Sequence, residues 1–200
     1  MSDSWEATFY KNAIFAHASL GNLFDLPVIM TTSAETGPNG PLPKEFVEMY
    51  PDVGVIARPG EVNAWDNPDF RAAVKATNRS QVIIAGITTD VCVTHLALSM
   101  RAEGYHVAVN MEASGTFNQR IADAAFGRME IAGVQIMNLF SIAAELFRDW
   151  RSPSPNAEQF ITYMDQYIPE GGSMVRAHAA AILDGMLVPG EEGLIKDGAS

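Results

Sequence analysis

The chain has 200 residues, of which 48% are hydrophobic, enough for one well-buried domain and a small appendage. Its 13 lysines and arginines stand against 24 aspartates and glutamates, which gives a formal net charge of −11, and the basic residues are scattered. This balance argues against a nucleic-acid partner, and no apolar stretch approaches the roughly 20 residues of a membrane span, so we expect no membrane partner either.

The start of the chain and its cysteine usage bear on the cellular compartment. Residues 1–6, Met-Ser-Asp-Ser-Trp-Glu, contain neither a basic n-region nor an apolar core. Cys92 is the single cysteine, so the chain cannot form an internal disulfide bond. We therefore expect a reducing, cytoplasmic setting.

Short apolar runs predict strands, and helical patterns alternate with them along the chain. The predicted strands are 27–32, 53–57, 81–86, 106–110 and 134–138. The predicted helices are 5–24, 43–50, 67–77, 91–103, 118–132 and 141–150. Helices of this length between strands predict an α/β fold, in which helices sandwich a parallel β-sheet with five readable strands.

The end of the chain breaks this alternation. Residues 151–156, Arg-Ser-Pro-Ser-Pro-Asn, contain two prolines and predict a linker. Helical patterns follow over 157–167 and 173–183, and a glycine-rich acidic tail comes last. We therefore predict one α/β domain over 1–150, and a linker with a helical appendage over 151–200 that serves packing or subunit contacts.

Polar segments directly follow the predicted strands. Ligands of parallel sheets bind beyond the carboxyl ends of the strands. We therefore expect the segments after the strands to share one rim of the sheet. These segments are 31–33, 58–60, 88–90 and 112–114.

Cys92 is the candidate nucleophile. It follows the strand 81–86 and the turn Thr88-Thr89-Asp90, and it falls in the first turn of the next predicted helix. The partial positive charge at a helix N-terminus favours a thiolate, and the free amides there can receive an oxyanion. The alternative is a small buried cysteine without a chemical role.

Two further segments are expected near Cys92. Arg58 lies on the same rim, where a guanidinium can hold the charge of a thiolate or anchor a carboxylate or amide oxygen of a substrate; the alternative is a surface ion pair. Asn63 and Trp65 offer an amide and an aromatic wall near Arg58, and we predict that they bind substrate, although a tryptophan is more often a core residue.

Asp90 and the histidines are weaker candidates. Asp90 is expected to cap the helix rather than to act as a base. His95 lies three residues after Cys92, but a side chain one turn into the helix is expected beside the core rather than over the site. His17, His106 and His178 have no metal-ligand spacing, so we expect neither a metal nor a cofactor.

Four segments, in order and at fitting distances, carry a resemblance to a known family. They are 31–41 (TTSAETGPNGP), 57–60 (ARPG) with 63–66 (NAWD), 85–93 (AGITTDVCV) and 113–118 (ASGTFN). With them, residues from about 11 to 150 resemble the isochorismatase-like cysteine hydrolases, and most closely their YcaC-like branch.

The resemblance implies a Rossmann-like fold with a six-stranded parallel sheet. It implies hydrolysis of a small amide or a related C–N or acyl bond through a cysteine, a lysine or arginine, and an aspartate. By position, Cys92 is the nucleophile and Arg58 takes the basic place. The family also has a cis peptide bond here, which falls at Ile87–Thr88, and the amides of Thr88 and Cys92 would form the oxyanion hole. Homo-oligomers are implied as well.

The aspartate of the family cannot be placed in this sequence. In relatives it ends a first apolar strand that precedes the helix beginning here near Trp5, and only residues 1–4 come before that helix. That strand lies in the middle of the family's sheet, so its loss would leave two neighbouring strands without a shared partner. We favour a truncated family member; an internal methionine of a longer gene, or another segment filling the gap, are the alternatives. The alternative function is a catalytically impaired member that binds small molecules or acts as a scaffold.

Overall fold

Strands and helices alternate through most of the computed structural model, which describes residues 7–37, 39–181 and 190. The strands are β1 Met30–Ser33, β2 Val55–Arg58, β3 Gln81–Ile87, β4 His106–Gly115 and β5 Gln135–Met137. The helices are α1 Ala7–Phe24, α2 Lys44–Met49, α3 Pro68–Ala76, α4 Thr94–Ala102, α5 Gln119–Ile131, α6 Leu139–Phe147, α7 Ala157–Tyr167 and α8 Pro169–Ala181. The predicted α/β class is confirmed, and each predicted strand is present.

The strands form two parallel sheets rather than one. β1 pairs with β2, and Ser33 lies opposite Arg58. The second sheet has the order β3-β4-β5, and Gly86 lies opposite Ser114. A parallel sheet is continuous only where each strand hydrogen-bonds to the next. No described strand joins β1 to β3, so the single sheet expected from the resemblance is divided at this place.

Helices cover both faces of the second sheet. Val107 and Val109 of β4 are almost fully buried and belong to one core with residues of α3, α4 and α5. Asn110 points to the opposite face because successive strand residues alternate. There its side chain meets His17 of α1. The core therefore fixes the orientation of β3 and β4, and Cys92 lies beyond the carboxyl end of β3.

β4 is longer than the sequence predicts, since it continues beyond residue 110 to Gly115. The pairing with β3 shifts between Ile84 and Gly86. At the shift, the Asn110 side-chain oxygen accepts hydrogen bonds from the amides of Glu112 and Ala113, at 3.1 and 3.4 Å. This side chain replaces ladder bonds, so the strand resumes beyond the irregularity. The segment 112–114, expected as a loop after the strand, is therefore part of the strand.

The chain divides into two units by its contacts. Of the described residues, those up to Ser19 and those within Pro27–Leu139 form one unit, and those within Leu20–Leu26 and from Phe140 onward form the other. In the second unit Phe147 of α6 stacks on Phe160 of α7, with ring centroids 4.1 Å apart. This contact groups α6 with the C-terminal helices, whereas the sequence groups it with the α/β domain; the division at residue 150 stays a prediction.

The structure describes the helices of the predicted appendage but little of its tail. α7 has the predicted bounds, and α8 begins at Pro169, four residues before the predicted start. The last two residues of the predicted helix and the acidic tail lie outside the described residues, except for Gly190. Within the part that is described, no helix combines the length and apolar character that crossing a bilayer demands.

The contact of His17 with Asn110 requires a neutral imidazole ring. The Asn110 oxygen already accepts two backbone amides, so its nitrogen donates to His17 Nδ1, at 3.3 Å. An imidazole accepts at Nδ1 only in its neutral form. Burial lowers the pKa of His17 to about 4. The folded protein therefore disfavours protonation of this ring.

We predict an acid-dependent loss of stability that originates at His17. The unfolded chain, with a histidine pKa near 6.5, takes up the proton first, so the contribution is complete above about pH 6.5 and declines toward pH 4. The free energy of unfolding should fall by about 2 to 3 kcal/mol from this residue between pH 7.5 and 4.5. Urea unfolding at both pH values measures the fall, and His17→Gln should reduce it by that amount. His106→Gln, at an exposed position, is the control; an equal reduction there would contradict the prediction.

Candidate active site

Cys92 lies in a wide turn between β3 and α4. β3 ends at Ile87, the Ile87–Thr88 peptide bond is cis as expected from the resemblance, and residues Thr89–Val93 form a π-helical turn that leads into α4. The carbonyl of Thr88 accepts the amides of both Val91 and Val93, at 3.3 and 3.2 Å. Cys92 is partly exposed. The predicted position at the start of a helix is thus found, but the turn is π-helical rather than α-helical, a form frequent at functional sites.

Two side-chain hydrogen bonds hold this turn in place. The Thr94 hydroxyl donates to the Thr89 carbonyl at 2.6 Å, and both residues are fully buried. The Thr116 hydroxyl, beyond the end of β4, donates to the Asp90 carboxylate at 2.7 Å. No side chain caps the π-helical turn, so the prediction that Asp90 caps the helix is wrong. Asp90 instead ties the turn that carries Cys92 to the segment after β4.

Arg58 is held inside the rim, not in a surface ion pair. It is the last residue of β2 and only 5% exposed. Its Nε donates to the Thr31 hydroxyl at 3.0 Å, and its Nη1 donates to the backbone carbonyl of Glu61. A buried guanidinium needs such acceptors because an unpaired charge is costly to desolvate.

Arg58 lies close enough to Cys92 for an electrostatic interaction between them. Burial lowers the pKa of Arg58, and its electrostatic interactions with Cys92 and, second, with Glu61 oppose this decrease. Hydrogen bonds from its own backbone and from Asn67 hold the pKa of Glu61 below its usual value. The structure therefore brings together Cys92 and Arg58, as the shared rim predicts, and adds an ionised carboxylate beside the guanidinium.

Asn63 and Trp65 both have hydrogen-bond partners within the protein. Asn63 accepts the amide of Trp65 at 3.0 Å, which caps the 3₁₀ turn Ala64–Asp66, and it donates to Ser99 of α4. Trp65 is 5% exposed, its indole N–H donates to Glu103 at 2.6 Å, and its ring packs on Tyr105. Tyr105 precedes the first residue of β4, at the end of the sheet opposite to Cys92. Trp65 is therefore packed in the core, and substrate binding by Asn63 and Trp65 stays a prediction.

Sequence reasoning placed Thr31 on the rim without assigning it a role, and it missed Glu61; both residues hold the cation. The register provides the missing signal: Ser33 lies opposite Arg58, so Ser33 and Thr31, two residues earlier, share the face of Arg58. His95 lies in α4 beyond the turn, and no hydrogen bond joins it to another described residue. The structure shows no group of three or more potential metal-binding side chains among the described residues.

Comparison with known proteins places this chain in a family. A model of the isochorismatase domain matches residues 24–139, more than half of the chain. The chain belongs to the isochorismatase family. Its relatives include the probable hydrolase YcaC of Escherichia coli (strain K12), 47% identical over 169 residues, which cover 84% of this chain and 80% of that protein. The expected family resemblance is thereby confirmed.

Two solved structures resemble this isochorismatase-family chain closely. YcaC from Pseudomonas aeruginosa, with hexane-2,5-diol and covalent acrylamide, matches with a TM-score of 0.83 and 46% identity, over 88% of this chain and 86% of that one. E. coli YcaC, described as an octameric hydrolase of unknown specificity, matches with a TM-score of 0.82 and 46% identity, over 88% of this chain and 85% of that one. The chain is thus a YcaC-like member of the isochorismatase family of hydrolases.

We predict that Asp90 and Thr116 stabilise the fold as a coupled pair. A hydrogen bond to a carboxylate contributes more where it is partly buried than where water surrounds it, so a double-mutant cycle with Asp90→Ala and Thr116→Val should give a coupling of about 1 to 2 kcal/mol. Urea unfolding of the four proteins measures it. The exposed pair Gln119 and Asp123 in α5, joined at 2.7 Å, is the control and should couple by less than about 0.5 kcal/mol. Equal coupling in both pairs would contradict the prediction.

Proposed function

We propose that this protein hydrolyses small amides or related acyl compounds, with Cys92 as the nucleophile and Arg58 as the cation that stabilises its thiolate. The observation that carries the proposal is a partly exposed thiol within electrostatic range of a buried, hydrogen-bonded guanidinium. A neighbouring arginine favours the thiolate, which is the reactive form of cysteine. Family membership supports the reaction class.

The proposed reaction has two stages. In the first, the sulfur of Cys92 attacks the acyl carbon, the carbonyl electrons move to oxygen, and the amides of Thr88 and Cys92 are proposed to receive this oxyanion. The carbon–nitrogen bond then breaks, the amine leaves with the proton that the thiol has lost, and a thioester remains on Cys92. In the second stage water adds to the thioester, which releases a carboxylic acid and restores the thiol.

A relative supports the proposed nucleophile. The P. aeruginosa YcaC structure contains covalent acrylamide. Acrylamide is a small electrophile, and thiols attack it at its vinyl carbon and leave its amide bond intact. A reactive thiol reached by small amides is what the exposure of Cys92 and the charge of Arg58 lead us to expect here.

We also propose that the protein forms homo-oligomers in the cytoplasm. E. coli YcaC is described as octameric. In this chain Ile87 and Phe117, beside the two strand ends nearest to Cys92, are 61% and 81% exposed. Covering large apolar side chains of this kind with another subunit removes them from water, which favours association. The single cysteine supports a reducing compartment.

We predict that hydrolysis proceeds through an acyl group on Cys92. With small activated amides and esters, mass spectrometry of the quenched protein should find the acyl mass on the peptide that contains Cys92. Cys92→Ala should lose both the adduct and at least about 100-fold of the hydrolysis rate, because no nucleophile remains. His95→Gln is the control and should retain both. Hydrolysis unchanged in Cys92→Ala would exclude the mechanism, and a wild-type protein with neither adduct nor hydrolysis would favour the binding or scaffold alternative.

We predict that Arg58 makes Cys92 reactive at neutral pH. Arg58→Met keeps much of the aliphatic stem and removes the charge, so alkylation of Cys92 by iodoacetamide should slow about tenfold at pH 7. At pH 10 the thiol ionises without help, and the rates of the two proteins should converge. Arg58→Lys, which keeps the charge, should lie between them. A slowing that is equal at both pH values would show a loss of access instead of a lost charge effect, and would contradict the prediction.

A further inference from the structure

A hydrogen bond to the backbone of Ile56 orients the Thr31 hydroxyl. It donates to the Ile56 carbonyl at 2.8 Å and accepts the Nε–H of Arg58 at 3.0 Å. A hydroxyl has one hydrogen and two lone pairs, so once its hydrogen points to Ile56, its lone pairs can face the guanidinium. Thr31 therefore offers Arg58 a fixed acceptor at one corner of the planar group.

A second fixed acceptor holds another corner. The carbonyl of Glu61 accepts Arg58 Nη1, and the same carbonyl accepts the Ser33 hydroxyl at 3.1 Å. Two acceptors on different nitrogens define the plane of a guanidinium. The third nitrogen, Nη2, has no acceptor within residues 7–37, 39–181 and 190, so it stays available to Cys92 or to a bound substrate.

Two side chains lie within electrostatic range of this cation, Cys92 and the carboxylate of Glu61. The carboxylate of Glu61 is itself engaged by Asn67 at 3.1 Å and by the amide of Gly60 at 3.3 Å. A guanidinium without the Thr31 acceptor would have a buried, unpaired N–H and would gain by turning toward this carboxylate.

We propose that Thr31 is a positioning residue, which fixes the guanidinium of Arg58 so that its free nitrogen faces Cys92 and not Glu61. The inference rests on the proposed function, in which Arg58 stabilises the thiolate. Thr31 touches no reacting atom, and it acts only through Arg58.

The neighbouring strand residue provides a matched control. Thr32 is 6% exposed, and its hydroxyl donates to the Glu35 carboxylate at 2.7 Å. Successive strand residues face opposite sides, so Thr32 lies on the face away from Arg58. Thr31→Val and Thr32→Val are therefore the same chemical change on the same strand, and only the first removes an acceptor of Arg58.

The test measures alkylation of Cys92 by iodoacetamide at pH 7 and pH 10. Thr31→Val should react about three- to tenfold more slowly than the wild type at pH 7 and at the same rate at pH 10, because only the charge effect is lost. Thr31→Ser keeps the hydroxyl and should restore the rate, and Thr32→Val should not change it. In the Arg58→Met background, Thr31→Val should cause no further slowing.

Three results would overturn the inference: a wild-type rate at pH 7 in Thr31→Val, an equal slowing in Thr32→Val, or a full additional slowing in the Arg58→Met background. If Thr31→Val does not fold, Thr31→Ala is measured in the same way. A wild-type protein that forms no acyl adduct while Thr31→Val still slows alkylation refutes the proposed hydrolysis and leaves the role of Thr31 standing. If the wild type forms an acyl adduct but Thr31→Val alkylates at the wild-type rate, the proposed hydrolysis stands and the role of Thr31 is refuted.

Discussion

The candidate site depends on how a nearly buried guanidinium satisfies its hydrogen bonds. Arg58 is 5% exposed at the end of β2, and a charge at such a place is tolerated only when acceptors surround it. The parallel register of β1 and β2 places Thr31 and Ser33 on the face of Arg58, and the chain beyond β2 turns back so that the Glu61 carbonyl completes the set. The cation is thus fixed before any substrate arrives, as preorganised electrostatic stabilisation requires.

The two sheets contribute different halves of the site. β1 and β2 supply the cation and its acceptors, whereas β3 and the turn after it supply the thiol. No described strand bonds the two sheets together, so their alignment depends on side chains. Ile29 and Ile56 pack against the core that includes Ile84 and Val93, and Asn63, beyond β2, donates to Ser99 of α4.

The predictable features are those with a local signal. The alternation of strands and helices, the rim and the place of Cys92 all follow from periodicity and turn residues within a few positions. The roles of Asp90 and Trp65 were not predictable, because their partners, Thr116 and Glu103, are 26 and 38 residues away. Likewise, the extension of β4 depends on a side chain that substitutes for ladder bonds, and the division into two sheets depends on which edges meet. Such pairings arise in tertiary structure, and one sequence does not encode them in its local pattern.

The π-helical turn before α4 makes the direction of Cys92 independent of the core packing of α4, whereas a continuous α-helix would couple the two. One residue of α-helix corresponds to about 100° of rotation about the axis, so the extra residue of a wide turn changes the direction of every side chain before it relative to those after it. α4 can therefore keep Leu96, Ala97 and Met100 in the core while Cys92 points elsewhere. Removing one residue between Thr89 and Val93 would rotate Cys92 by about 100° relative to the core residues of α4, so the length of this short segment sets the direction in which the sulfur points.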